Sequence, residues 1–246
     1  FSGSMQEVRY YNVALGTTAL YSNQTGAGSV GIGHSAGYSF TGGGGVFIGY
    51  EAGHGVASAD IVLIGYQAGK RARGTGNVGI GYGALYGADS TAANNTGTSN
   101  TAIGQNALKW FSKTVGSTAV GAEAGYYTTG SYNTFVGASA GYGGTTSAPY
   151  SSGPNNTAIG YQALASFTTA EDNTTLGMQT GQLLTSGHSN TLLGNAAGRL
   201  MTTTANTVLI GLGTGYAINS TDADGTVAIG RSALNALTSG AGNLAI

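Results

Sequence analysis

The chain contains no cysteine and only two prolines among its 246 residues. Disulfide staples and thiolate metal sites are thereby excluded, and so are stiff proline-rich spacers. Charge is equally scarce: 7% of residues carry one, against roughly 25% in an ordinary domain. Eight Lys and Arg against nine Asp and Glu leave a net charge of -1. That balance offers no basic face to a phosphate backbone and no polybasic patch to anionic lipid, so nucleic acid is not an expected partner. No apolar run approaches the roughly 20 residues that cross a bilayer, and no membrane insertion is expected in this segment.

Glycine is what the chain has in quantity, 46 residues of it, and it is placed with a period. An apolar-Gly-x-x-Ala-Gly/Leu phrase recurs thirteen times, its first glycine falling at Gly16, Gly33, Gly49, Gly65, Gly81, Gly104, Gly121, Gly137, Gly160, Gly177, Gly194, Gly211 and Gly230. The intervals are 17, 16, 16, 16, 23, 17, 16, 23, 17, 17, 17 and 19 residues. They are too short for a helical hairpin or a propeller blade and suit one turn of a β-solenoid. The fold expected is therefore all-β, a parallel β-roll of about 13 short turns. Residues 1–11 read as a lead-in and 12–246 as one repeat domain. Asn243-Leu244-Ala245-Ile246 begins a fourteenth phrase, so the segment reads as a piece of a longer fibre.

Counting from the repeat glycine as position zero, position -1 is always Ile, Leu or Val and position -3 is Val or Thr. A strand's two-residue period puts these on one side, expected to be the core. Position -2 then faces out, with Ala14, Phe47, Leu63, Ala102, Phe135, Ala158, Leu192, Leu209 and Ala228 and never a charge. With Ala at +3 in most turns, such a core is thin. An apolar outer column then calls for a partner, and Phe47, Leu63, Phe135, Leu192 and Leu209 are the expected contacts of a homo-oligomer. Asn recurs at -4 (Asn12, Asn77, Asn100, Asn133, Asn156, Asn173, Asn190), where amides can bond along the axis or serve as turn residues.

Chemistry is sparse. Glu51 and Glu123 share one repeat phase but lie four turns apart, roughly 19 Å at about 4.8 Å per turn, too far to act as a hydrolytic pair. Asp222-x-Asp224-Gly225 lacks the spaced ligands of a calcium loop, and His34, His54 and His188 share no metal spacing. No enzyme activity, cofactor or metal is expected. Aromatics are more suggestive: Tyr occupies +5 at Tyr21, Tyr38, Tyr86, Tyr126, Tyr142 and Tyr216, and +1 at Tyr50, Tyr66, Tyr82 and Tyr161. Flat rings with polar tips suit sugars and protein partners, but also corner packing or subunit contacts. Candidate receptor contacts are Tyr21, Tyr38, Tyr86, Trp110, Phe111, Tyr126, Tyr142 and Tyr150. The long intervals insert residues 87–99 and 143–155, the latter with both prolines, and a shorter insertion spans 217–225; all interrupt one sector of the turn.

The phrases Asn100-Thr101-Ala102-Ile103-Gly104-Gln105-Asn106-Ala107-Leu108 and Asn156-Thr157-Ala158-Ile159-Gly160-Tyr161-Gln162-Ala163-Leu164 resemble the repeat region of phage tail fibres and viral spikes. They are also similar to the head repeats of YadA-type trimeric autotransporter adhesins, whose repeat is shorter. The resemblance implies a left-handed β-roll, a homotrimer, and an extracellular place on a virion or cell surface. It also implies attachment to a host surface receptor, a glycan or a protein. The alternatives are a purely structural spacer or self-assembling filament, an ice-binding solenoid and a polysaccharide depolymerase. Against ice binding, Val replaces Thr at -3 in seven of thirteen turns, and that column is expected to point inward.

Overall fold

A computed structural model describes residues 11–87, 95–144 and 150–246. The lead-in 1–10 and parts of the two long insertions, including Pro149, lie outside the described residues. The chain divides into two compact units, Phe1–Gly116 and Ser117–Ile246. The first holds β1 (Val13–Leu15), β2 (Val30–Ile32), β3 (Val46–Ile48), β4 (Val62–Ile64), β5 (Val78–Ile80) and β6 (Thr101–Ile103). The second holds β7 (Thr118–Val120), β8 (Thr134–Val136), β9 (Thr157–Ile159), β10 (Thr174–Leu176), β11 (Thr191–Leu193), β12 (Val208–Ile210), β13 (Val227–Ile229) and β14 (Leu244–Ala245). Within each unit every strand pairs with the next in parallel, like position on like position.

Each turn carries one strand of three residues, because the chain cannot run straight for longer. Positions -5, 0, +2 and +4 all take positive φ, as at Asn155 (59°), Gly160 (132°), Gln162 (54°) and Leu164 (52°). The zero glycine is required twice over. Its φ near 130° is open to glycine almost alone, and a Cβ on Gly137 would stand 2.7 Å from the Gly160 carbonyl carbon of the next turn. Backbone bonds stitch the same points turn to turn, as Gly177 N–H to Ile159 O at 2.8 Å and Gly194 N–H to Leu176 O at 2.8 Å.

The strand faces are the reverse of those expected. Phe47, Leu63, Phe135, Leu192 and Leu209 at -2 are completely buried, while Ile103, Ile159, Leu176, Leu193 and Ile229 at -1 remain 36% to 43% exposed. The five expected oligomer contacts therefore belong to the chain's own core. The pleat dictates that -2 opposes -1 and -3 but does not say which side is inside. What decides it is volume. All five large residues at -2 have glycine at +4, and Leu at +4 (Leu20, Leu85, Leu108, Leu164, Leu234) always faces Ala or Gly at -2. A Cβ on Gly53 would lie 2.2 Å from Phe47, and one on Gly69 2.3 Å from Leu63. In these ten turns one large side chain fills one space, whichever segment supplies it.

The core is also thicker than expected. Position +7 adds Phe40, Val56, Phe111, Phe167, Leu184, Met201 and Ile218, all fully buried. Against it runs a buried amide ladder at -4. Asn156 Nδ2 donates to Asn133 Oδ1 (3.1 Å) and to Ala170 O (2.8 Å), and Asn156 Oδ1 accepts from the backbone N–H and Nδ2 of Asn173, both at 3.1 Å. Asn190 repeats the pattern on Asn173, and the ladder ends on Thr207, whose N–H and hydroxyl both donate to Asn190 Oδ1. The structure shows both roles for these Asn residues: they bond along the axis, and their Nδ2 groups also reach local turn carbonyls, as Asn77 to Gly74 O at 2.8 Å and Asn173 to Glu171 O at 2.9 Å.

Candidate ligand-binding groove

The segment from +1 to +6 forms the corner of each turn, and its side chains rise in columns from one turn to the next. At +3 stands buried alanine, as Ala124, Ala140 and Ala163. On either side stand the +2 and +5 columns, whose side chains are mostly polar or aromatic, with alanine at Ala165 and Ala196. Between these columns a cleft opens locally in each unit.

Most of the tyrosines stack upon one another. His34, Tyr50, Tyr66 and Tyr82 form a ladder at +1 with centroids 5.1 to 5.2 Å apart. At +5, Tyr21 lies on Tyr38 at 5.1 Å and Tyr38 on His54 at 5.2 Å. In the second unit Tyr126 lies on Tyr142 at 5.2 Å, and Tyr127 meets both nearly edge-on. Tyr150 lies against Tyr127 at 5.7 Å. A ring inside such a ladder has both faces covered and presents only its edge and hydroxyl. Sugar stacking needs an open face, so it is confined to rings where a ladder stops.

Trp110 and Tyr86 meet edge to face at 6.2 Å, with Arg71 over Tyr86 and Lys109 over Trp110. They wall a cleft of about 220 Å³ with Gln67, Tyr82, Gly83 and Asn106. Phe111 does not join them. It is wholly buried in the +7 column, because successive residues at this bend point to opposite sides of the wall. The receptor role expected for Phe111 is corrected to a core role. The signal was present in the sequence as the run of apolar residues at +7.

A second cleft, of about 410 Å³, opens in the other unit where the +5 column falls from Tyr142 to Ala165. Tyr142, Ala165 and Gln182 line one side and Glu123, Ser139 and Gln162 the other, with Gly143, Gly144 and Ser166 beyond. Gln162 Oε1 accepts from Gln179 Nε2 (3.1 Å) and from Gln182 Nε2 (2.9 Å), and Arg199 Nε holds Gln182 Oε1 at 2.9 Å. Burial pushes the Tyr142 phenol up to about 12, with further negative influence from Tyr127, Glu123 and Tyr126. Neither Glu123 nor Gln182 was singled out from sequence as a groove residue.

Glu51, at the same phase as Glu123, is tied down. Lys70 Nζ bonds its Oε2 at 2.6 Å and Gln67 Nε2 at 2.8 Å, and the Lys70 bond holds the carboxyl below its ordinary value. Asp224 is structural too: its Oδ1 accepts from the Ala205 N–H at 2.8 Å, and Ser220 caps the short 3-10 turn Thr221–Ala223. Among the described residues no group of three or more His, Asp and Glu side chains is placed to hold a metal ion. No helix among them is long and apolar enough to cross a membrane.

Parallel in-register strands, one per turn, with a corner cleft in each unit, define an all-β parallel β-solenoid repeat protein of about 13 turns. Set against known proteins, the chain matches no family model, no curated protein and no solved structure.

Proposed function

We propose that this chain is a structural and attachment module of an extracellular fibre, a tail fibre or adhesin, that binds a surface receptor and performs no catalysis. The observation that carries the reading is the outer strand face. In every turn it shows Val or Thr at -3 beside Ile, Leu or Val at -1, and none of the charged residues falls in a strand. Two uncharged columns in register, mostly β-branched, make a flat strip, and a second copy of the same strip is its natural cover. A homotrimer of left-handed rolls is the arrangement that the resemblance implies. The interface thus moves from the -2 column, which is core, to -1 and -3. Native mass measurement of the chain tests this: a trimer is expected, with Ile159→Lys plus Leu193→Lys giving monomers, and a monomeric parent overturns the assembly. Binding of the chain to a glycan array tests attachment, and failure to bind any glycan or cell surface favours a spacer.

One observation supports a second reading, ice binding. The -3 column points outward, so the objection raised from its expected inward direction falls. Thr118, Thr134, Thr157, Thr174 and Thr191 stand in register on consecutive strands. Thermal hysteresis from the chain, abolished by Thr157→Lys, is the result that would favour it. Self-assembly covers the same strip, so a chain cannot use it for both.

A further inference from the structure

We infer that the cleft between Tyr142 and Gln182 is a binding site for one neutral pyranose unit of a glycan. The inference rests on the attachment reading and names the ligand class and the place.

Tyr142 ends its ladder. One face lies on Tyr126, and on the following turn the +5 position is Ala165, too small to cover the other. An open aromatic face at the wall of a cleft is a platform for the C–H face of a sugar ring. The opening of about 410 Å³ is within the size range of small-ligand sites.

Around that face stand groups suited to hydroxyls. Gln162 Oε1 is held by donation from Gln179 and Gln182, and Gln182 Oε1 by donation from Arg199. Among the described residues Gln162 Nε2 has no internal partner. Among the described residues Glu123 makes no hydrogen bond or ion pair, in contrast to Glu51 at the same phase, which Lys70 and Gln67 occupy. The hydroxyls of Ser139 and Ser166 complete the rim. The site therefore offers donors, acceptors and one free carboxylate, the arrangement that accepts two vicinal hydroxyls. Its one charged lining residue is a carboxylate, and the neighbouring Arg199 is engaged by Gln182 and Tyr216, so neutral sugars are favoured over phosphate, sulfate and sialic acid.

The test uses the intact chain and a panel of methyl glycosides of glucose, galactose, mannose and N-acetylglucosamine. It reads saturation transfer from protein to sugar and the titrated affinity. At least one neutral glycoside is expected to bind, and sialic acid methyl glycoside is not. Ala165→Tyr extends the ring ladder over the open face, and Tyr142→Ala removes the platform. Each is expected to weaken binding at least tenfold while melting cooperatively. Tyr66→Ala, from the middle of the other ladder, should leave binding unchanged. Absence of transfer from every neutral glycoside, or binding that survives both Ala165→Tyr and Tyr142→Ala, overturns the site. If cell attachment persists in Ala165→Tyr while no glycoside binds the parent, the site fails and the attachment reading stands. If glycoside binds at Tyr142 but the chain adheres to no surface, the attachment reading fails alone.

Discussion

Gly69 shows how a single residue is dictated by a neighbour far away in the turn. Its missing side chain is the room that Leu63 fills, and five repeats along, Leu164 with Ala158 makes the opposite choice. Leu63→Ala alone should cost about 2–5 kcal/mol through the cavity it leaves. Gly69→Leu alone should destabilise by overpacking. The double substitution rebuilds the Ala158–Leu164 pair, so a double-mutant cycle by chemical denaturation should show at least about 1 kcal/mol of favourable coupling. Additive losses would mean that the two positions do not share one space. The amide ladder gives a second expectation at this scale. Asn156→Leu strands the Asn173 N–H and the Ala170 carbonyl in the interior, and at about 1–3 kcal/mol per orphaned group it should lower the denaturation midpoint far more than an exposed Asn155→Leu. These pairings were legible in the sequence, but only when -2 was compared with +4. Read one column at a time, a buried Leu192 and an exposed Leu193 look alike.

The element to consider is the turn, three residues of strand and a corner. Its period, its glycine and its parallel pairing followed from spacing alone, since nothing but a solenoid repeats every 16 or 17 residues with one short strand. The inside of the strand did not follow, because the apolar residues of Phe47-Ile48 or Leu209-Ile210 occupy both faces and leave no polar side to mark the solvent. The groove was half legible: Tyr142 stood out as an aromatic, whereas Glu123 and Gln182 gain meaning only through the bonds and gaps of neighbouring turns. Tyr142 also gives a pH expectation. Its phenol is raised from an ordinary 10.0 to about 12, so the folded chain favours the neutral form. That contribution to stability is complete below pH 10 and fades as pH climbs towards 12. Phenolate absorbance should show one late-titrating tyrosine that Tyr142→Phe lacks, and the parent should lose more stability than that variant across this interval.

For the whole molecule, stability is a sum over turns and the contacts between neighbours. Removal of residues 178–194 takes out one complete turn and brings β10 against β12 in the same phase. Thr207 can then donate to Asn173 as it does to Asn190. The shortened chain should fold and melt cooperatively by circular dichroism, at a slightly lower temperature. A deletion of residues 178–185, about half a turn, should not, because it throws every column out of register.

The bonds that join the turns, such as Gly194 N–H to Leu176 O, link each turn only to the one before and the one after. A load applied to the two chain ends is therefore borne by the terminal turn first, one set of bonds at a time. Each turn that peels away frees about 55–60 Å of chain for 17 residues. Within a unit, such a rod yields by small repeated losses of length. A unit built this way would absorb a sudden pull as many minor breaks, where a globular domain of the same size would give way in one.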